Sequence, residues 1–198
     1  MRIYVESNFI LELARGQAQA KPCEAILAGA LGGRVELALP SFSVAEPVET
    51  IHRHAAERGR IQQALEQDLS LLARTDSYKD EVERLREFTS VLARASESER
   101  EALRSTLQRT LECARVLETT AGAIALAAEL GTKFGLKLPD AIVCASIRLD
   151  LDARPIASSC FVTRDVKDFG NSNLVDEFES LGCRVLFNFG AAVQLARL

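Results

Sequence analysis

The chain has 198 residues, 47% apolar and 26% charged, with a formal net charge of -4. That balance suits a soluble globular fold rather than a disordered chain, and the length suffices for one domain with a substantial core and an appended lobe. A mildly acidic chain offers no global field for nucleic acid, so any grip on a phosphate backbone must come from a local basic rim or from metal ions.

The first residues include Arg2, Glu6 and Glu12, which leaves no signal-peptide core, and no stretch approaches the ~18 uncharged apolar residues of a membrane span. Cys23, Cys113, Cys144, Cys160 and Cys183 are odd in number and scattered, with no CxxC pair. They read as free core thiols in a reducing cytoplasm rather than a disulfide framework or zinc site. The two histidines, His52 and His54, lie in a charged segment, which argues against a His-rich metal site or a Ser-His-Asp triad.

Taken in chain order, Ile3 to Val5 is a short apolar run that predicts a buried strand, followed at once by Glu6-Ser7-Asn8. A helix is expected after Asn8, with Phe9, Ile10 and Leu13 on its inner face and an end near Arg15-Gly16. A second helix is expected over 22–31, stopped by Gly32-Gly33. Val35 to Leu39 predicts the next strand, leading through Pro40-Ser41 into a helix with Val44, Ala45 and Glu46. From His52 to about Glu118 there is no strand signal. Leu65, Leu69 and Leu72, and then Leu103, Leu107 and Leu111, repeat at helical spacing among alternating Arg and Glu. Thr75-Asp76-Ser77 has the composition of a turn, and Ser96-Glu97-Ser98-Glu99 that of a capping box. This middle region therefore predicts an antiparallel helical hairpin or small lobe, inserted at about 52–118 and stabilised by i,i+4 charge pairs.

The α/β pattern resumes with an alanine-rich helix over 121–130 that ends at Gly131. "KLPDAIVCASI" then places Pro139 and Asp140 in the first turn of a helix, where the missing proline N–H costs nothing. Cys160 to Thr163 and Arg184 to Phe187 predict two further strands. Strands separated by helices argue for a parallel sheet with helices on both faces: an α/β, three-layer α/β/α fold of about four short strands, as a single domain over 1–198 carrying the helical insertion.

In an open parallel sheet, ligands gather beyond the carboxyl ends of the strands. Glu6 ends the first strand, Glu46 follows the second, Asp140 opens a helix near the same edge, and Asp165, with Asp168, follows the strand at 160–163. Carboxylates crowded together raise one another's pKa, so such a cluster asks for a counter-charge. Hard divalent ions with oxygen ligands, Mg²⁺ or Mn²⁺, answer that need.

Together "YVESN", "SFSVAE", "LPDAIVCAS" and "FVTRDVKDF" resemble the four acidic motifs of the PIN domain, a family of metal-dependent nucleases, mostly ribonucleases, that includes toxins of bacterial toxin–antitoxin pairs. The resemblance covers about residues 1–50 and 119–198. Residue by residue, Glu6 stands where the family most often has Asp; Glu46, Asp140 and Asp165 match the remaining motif acids, and Asp168 a less regular one. Ser7, Asn8 and Thr163 match small polar residues that hold the carboxylates in place. The resemblance implies phosphodiester hydrolysis with Glu6, Asp140, Asp165 and Asp168 as metal ligands and Glu46 taking part directly or through water. Lys137, Arg164 and Lys167 are positioned for a phosphate backbone. RNA is the implied substrate and an antitoxin-like protein inhibitor an implied partner; a homodimer is a separate expectation, attached to the helical insertion as a partner or dimerisation surface. The same residues leave open a PIN-like module that binds RNA or a protein without cutting, or a nuclease acting on DNA.

Overall fold

The structure, a computed structural model, describes residues 1–198. Five parallel strands form one sheet in the order β3-β2-β1-β4-β5: β1 is Arg2–Val5, β2 Glu36–Pro40, β3 Ala114–Leu117, β4 Ser159–Val162 and β5 Cys183–Leu186. Ile3 sits opposite Leu37 on one side and Cys160 on the other. The sheet thus has one strand more than the sequence suggests, because β3 lies inside the stretch expected to be wholly helical.

Nine α-helices surround the sheet: α1 Ser7–Arg15, α2 Ala20–Leu31, α3 Ala45–Leu72, α4 Lys79–Cys113, α5 Ala121–Phe134, α6 Leu138–Ala153, α7 Val166–Phe169, α8 Ser172–Ser180 and α9 Phe189–Ala196. Strand side chains alternate between faces, and the apolar residues sort accordingly. Tyr4, Ala38 and Phe161 pack with residues of α5, α6 and α8 such as Ala127, Ile147 and Phe178. Ile3, Val5, Leu37, Leu39 and Val162 pack on the opposite face with α1, α2, α9 and the roots of α3 and α4, through Phe9, Ile26, Phe189, Ile51 and Leu103. Helices therefore cover both faces of a parallel sheet.

The expected hairpin is present but larger than expected. α3 runs for 28 residues and α4 for 35, joined by a short connection that contains a 3-10 turn at Asp76–Tyr78, where the Thr-Asp-Ser composition placed a turn. Ser96 does not cap a helix. It lies within α4, where its hydroxyl donates 3.0 Å back to the Leu92 carbonyl, a bond a helical serine makes with its own backbone. α5 likewise runs through Gly131 to Phe134, leaving residues 135–137 as the link to α6. Gly135 takes the left-handed conformation at the end of α5 (φ 70°), which a glycine adopts without steric cost. No helix is long and apolar enough to cross a membrane, and all five cysteines are free thiols.

Candidate functional site

From β1 the chain crosses to β2 on one side, and later, from β3, crosses to β4 on the other. The point where the strand order reverses therefore lies between β1 and β4, and a crevice opens there beyond their carboxyl ends. Glu6 follows β1 and Thr163-Arg164-Asp165 follow β4, so the first and last acidic motifs meet at that point.

Glu6 answers its position with burial. It is 3% exposed and caps α1, its Oε2 accepting from the Asn8 N–H at 2.8 Å. Ser7 Oγ lies 2.6 Å from that same oxygen and 2.5 Å from Glu46 Oε2 in the first turn of α3. A hydroxyl has one proton, so Ser7 donates to one carboxylate at a time and leaves the other facing an oxygen without a donor. The second oxygen of Glu6, Oε1, is buried and has no hydrogen-bond partner. Burial raises the Glu6 carboxyl above its ordinary pKa, against the lowering effect of Ser7, Asn8 and Thr163. An unpartnered buried carboxylate oxygen is costly unless a proton or cation completes it.

Asp140 lies in the first turn of α6 beside Pro139. Its pKa is raised to about 6, first by desolvation and then by the charges of Asp168, Asp165 and Glu46, with Lys137 opposing. Acids from two distant chain segments, Glu46 on one and Asp165 with Asp168 on the other, therefore act on it together. Asp165 caps the short helix α7, accepting from the Asp168 N–H at 3.0 Å, and Thr163 Oγ1 accepts from the Asp165 N–H at 2.9 Å. Thr163 is fully buried, so it fixes the turn from inside. Gly170 closes that turn: a Cβ there would stand 2.2 Å from the Val166 carbonyl oxygen, so no larger residue fits without moving the backbone that carries Asp165 and Asp168.

Glu6, Glu46, Asp140, Asp165 and Asp168 thus line this edge; Ser7 bonds the Glu6 and Glu46 carboxylates, Asn8 contributes its backbone N–H to Glu6, and Thr163 holds the backbone of Asp165. As the side chains stand, no three of the acids converge on one point at coordination distance. The three cations expected to hold phosphate differ in fate. Lys137 Nζ approaches Asp168 Oδ2 at 3.8 Å. Lys167 is exposed. Arg164 is instead bound by Glu12. Glu12 is 1% exposed, and its other oxygen accepts from the Gln19 N–H at 2.8 Å. Arg164 therefore serves first to balance a buried acid, and sequence reasoning missed Glu12 in this role. The signal was present: Glu12 stands at i+3 from Phe9, on the face that α1 buries.

A second residue overlooked is Glu118, exposed at the end of the unforeseen strand β3 on the same edge. Beside it, Ser41 Oγ accepts from the Thr119 N–H at 3.1 Å and meets its hydroxyl at 2.9 Å, tying the end of β2 to that of β3. A shallow cleft of about 330 Å³ lined by Asn8, Arg164 and Asp165 opens at the crevice. No protein-family model, curated protein or solved structure matches the chain, so its function is read from these residues.

Proposed function

We propose that the chain is a PIN-type nuclease, a divalent-metal-dependent phosphodiesterase acting on RNA. The observation that carries this reading is the unpartnered, buried Oε1 of Glu6, set at the strand-order reversal among acids from three other segments. The donor set is entirely oxygen and anionic, which fits Mg²⁺ or Mn²⁺ rather than a softer metal. Glu6, Asp140, Asp165 and Asp168 are the residues that would hold the ion, with Glu46 reaching it directly or through water. When bound, such an ion lowers the pKa of water and offsets charge on the phosphate during in-line attack.

The chain's own residues supply the rest. Ser7 orients Glu6 and Glu46 against each other, and Thr163 holds the backbone from which Asp165 projects. Lys137 and Lys167 stand at the rim, where exposed cations bind phosphate oxygens without reading sequence. Neither histidine nor cysteine is needed as a nucleophile. Burial puts the thiols of Cys23, Cys144, Cys160 and Cys183 above their ordinary pKa and out of use. An antitoxin-like inhibitor and a cytoplasmic setting belong to this same reading.

A second reading, a PIN-like module that binds RNA without cutting it, draws on one observation: Glu6 Oε2 is already committed to the α1 cap and to Ser7. One experiment separates the two. Single-stranded RNAs of mixed sequence, with a DNA control, are incubated with the protein in Mn²⁺, Mg²⁺ or EDTA, beside Asp140→Asn. Metal-dependent cleavage that falls ~100-fold or more in the variant supports the nuclease. Metal-independent RNA binding with no cleavage supports the module, and cleavage that survives both EDTA and the substitution defeats both readings.

A further inference from the structure

The carboxyl edge of the sheet presents apolar side chains as well as acids. Phe42 stands in the 3-10 turn Ser41–Val44 that joins β2 to α3, Leu138 is the first residue of α6, and Val166 is the first of α7. Phe42 is 36% exposed, Leu138 57% and Val166 59%. None of the three belongs to either core or packs at its margin, so the fold does not use them. Each lies close in sequence to an acid of the site: Phe42 four residues before Glu46, Leu138 two before Asp140, and Val166 next to Asp165. Phe42 and Glu46 are both exposed, and a spacing of four where the turn winds into α3 makes them neighbours.

Single exposed apolar residues are ordinary on any surface; place and company distinguish these. Outside the hairpin, Phe42 is the one exposed aromatic residue. The turn that carries it packs against α1 and α6, the helices whose first turns hold Ser7 and Asp140. β2 and β4 are the two neighbours of β1, so Phe42, after β2, and Val166, after β4, stand on either side of Glu6. Lys137 precedes Leu138 and Lys167 follows Val166, and both lysines are exposed. Apolar side chains and cations thus alternate around the acids. A ligand that matches this rim carries flat apolar surface and negative charge at short intervals, which is the composition of a nucleotide strand.

We infer that Phe42 is a base-stacking residue: its ring takes an unstacked nucleobase of the strand whose phosphate lies at the acids, with Leu138 and Val166 lining the rest of the rim. The inference rests on the reading of this edge as a nucleic-acid site and adds that the strand is unpaired. Bases in a duplex are stacked on one another and cannot meet a side chain, whereas those of single strands can be splayed onto an aromatic ring. Because every base has a π-face, Phe42 selects unpaired strand over duplex without selecting sequence.

The test uses the absence of tryptophan from the chain: Phe42→Trp places a single fluorophore at the rim. Binding is measured in Ca²⁺, a hard ion that takes oxygen ligands. The probes are a short unpaired RNA, the same sequence as a duplex, and a strand of equal length without bases. The wild type is expected to bind the unpaired RNA more tightly than either of the others. Phe42→Ala is expected to lose about tenfold in affinity for the unpaired RNA, and nothing for the baseless strand. Phe42→Trp keeps the affinity, and its emission is quenched by the unpaired RNA alone. Leu31→Ala, at an exposed leucine ending α2, changes none of these. Unpaired RNA bound equally by wild type and Phe42→Ala, or a tryptophan emission that the RNA leaves unmoved, overturns the stacking while the nucleic-acid reading stands. A wild type that binds none of the three strands overturns both and leaves the rim to a protein.

Discussion

The two edges of the sheet hold the same kinds of side chain and treat them in opposite ways. At the amino edge, Arg2 meets Glu36 at 3.0 Å and Asp150 at 3.1 Å, Arg115 meets the same two acids at 2.9 and 2.6 Å, and the Tyr4 hydroxyl donates to Asp150 at 2.6 Å. Burial alone would raise both acids, yet their bonds to arginine hold Glu36 and Asp150 below the usual carboxylate range. At the carboxyl edge the acids have one another instead, and Asp140 is pushed up to about 6. One edge is electrostatically complete; the other is held incomplete by the fold. That contrast distinguishes the two edges where burial does not, since Arg2 and Glu6 are equally buried.

The largest effect is expected from breaking the complete edge. Asp150→Ala leaves the Arg2 guanidinium buried with Glu36 as its one acidic partner and costs about 3–5 kcal/mol. That corresponds to a melting temperature lower by roughly 10 °C, at about 2–4 °C per kcal/mol for a chain of this size. Thermal denaturation checks this, and RNA cleavage per folded molecule is expected to stay at the wild-type level.

Arg164→Ala comes next. It strands Glu12 and costs about 1–3 kcal/mol, and in urea titrations the midpoint falls while the slope stays fixed. An Arg164 variant with unchanged stability would return that residue to the phosphate-binding role.

The pH response sharpens the contrast because the two edges titrate in opposite directions. With its folded pKa near 6, Asp140 takes up a proton in the folded chain before it does so in the unfolded one. In EDTA its ionisation therefore costs stability above pH ~6, and that cost is relieved as the pH falls from about 6 to about 4. Glu36 and Asp150, depressed in the folded chain, stabilise it at neutral pH and lose that contribution on further acidification. Melting temperature in EDTA is thus expected to rise by a few degrees between pH 7 and pH 5 and then to fall. Asp140→Asn is expected to flatten the rise, to be the more stable protein at pH 7, and to lose cleavage. Saturating Mn²⁺ is expected to remove the difference by stabilising the wild type. A wild-type curve that falls steadily below pH 7 contradicts the crowding at Asp140.

Smallest is Lys167→Ala, exposed and without a partner in the fold. Stability is expected to be unchanged, with RNA affinity reduced uniformly across sequences and the salt dependence of binding lowered by about one ion.

Much of this architecture was legible in the chain because local signals agreed with tertiary ones. Ile3 to Val5, with β-branched residues at both ends, declared β1, Gly16 marks a real helix end, and Pro139 placed Asp140 in a first turn, whereas Gly131 misled, since α5 runs through it to Phe134. Strand β3 was not legible. Ala114, Arg115 and Leu117 all suit a helix, and no turn residue separates them from α4. What makes them a strand is tertiary: parallel pairing with Leu37 to Pro40 of β2, and Arg115 reaching Glu36 and Asp150. Ser96 misled in the opposite way, since a capping sequence inside a well-packed helix turns its hydroxyl inward to the backbone. The placement of the five acids at the carboxyl edge followed from their positions after strands and at helix starts. Arg164 could not, because its engagement depends on Glu12, a residue 152 positions away in sequence.

One junction has a mechanical consequence. α4 ends at Cys113 and β3 begins at Ala114, while α3 starts one residue before Glu46. α4 passes into β3 with no intervening residue, whereas α3 is joined to β2 through the 3-10 turn Ser41–Val44. α4 is 35 residues long, about 50 Å at 1.5 Å per residue. Such a pair of rods behaves as a lever clamped at its root: deflection at the tip becomes torsion where Glu46 meets Ser7 and where Thr119 is tied to Ser41. A load borne at the far end of the hairpin therefore passes through α4 straight into β3, and through the turn at Ser41–Val44 into β2, beside the rim of acids.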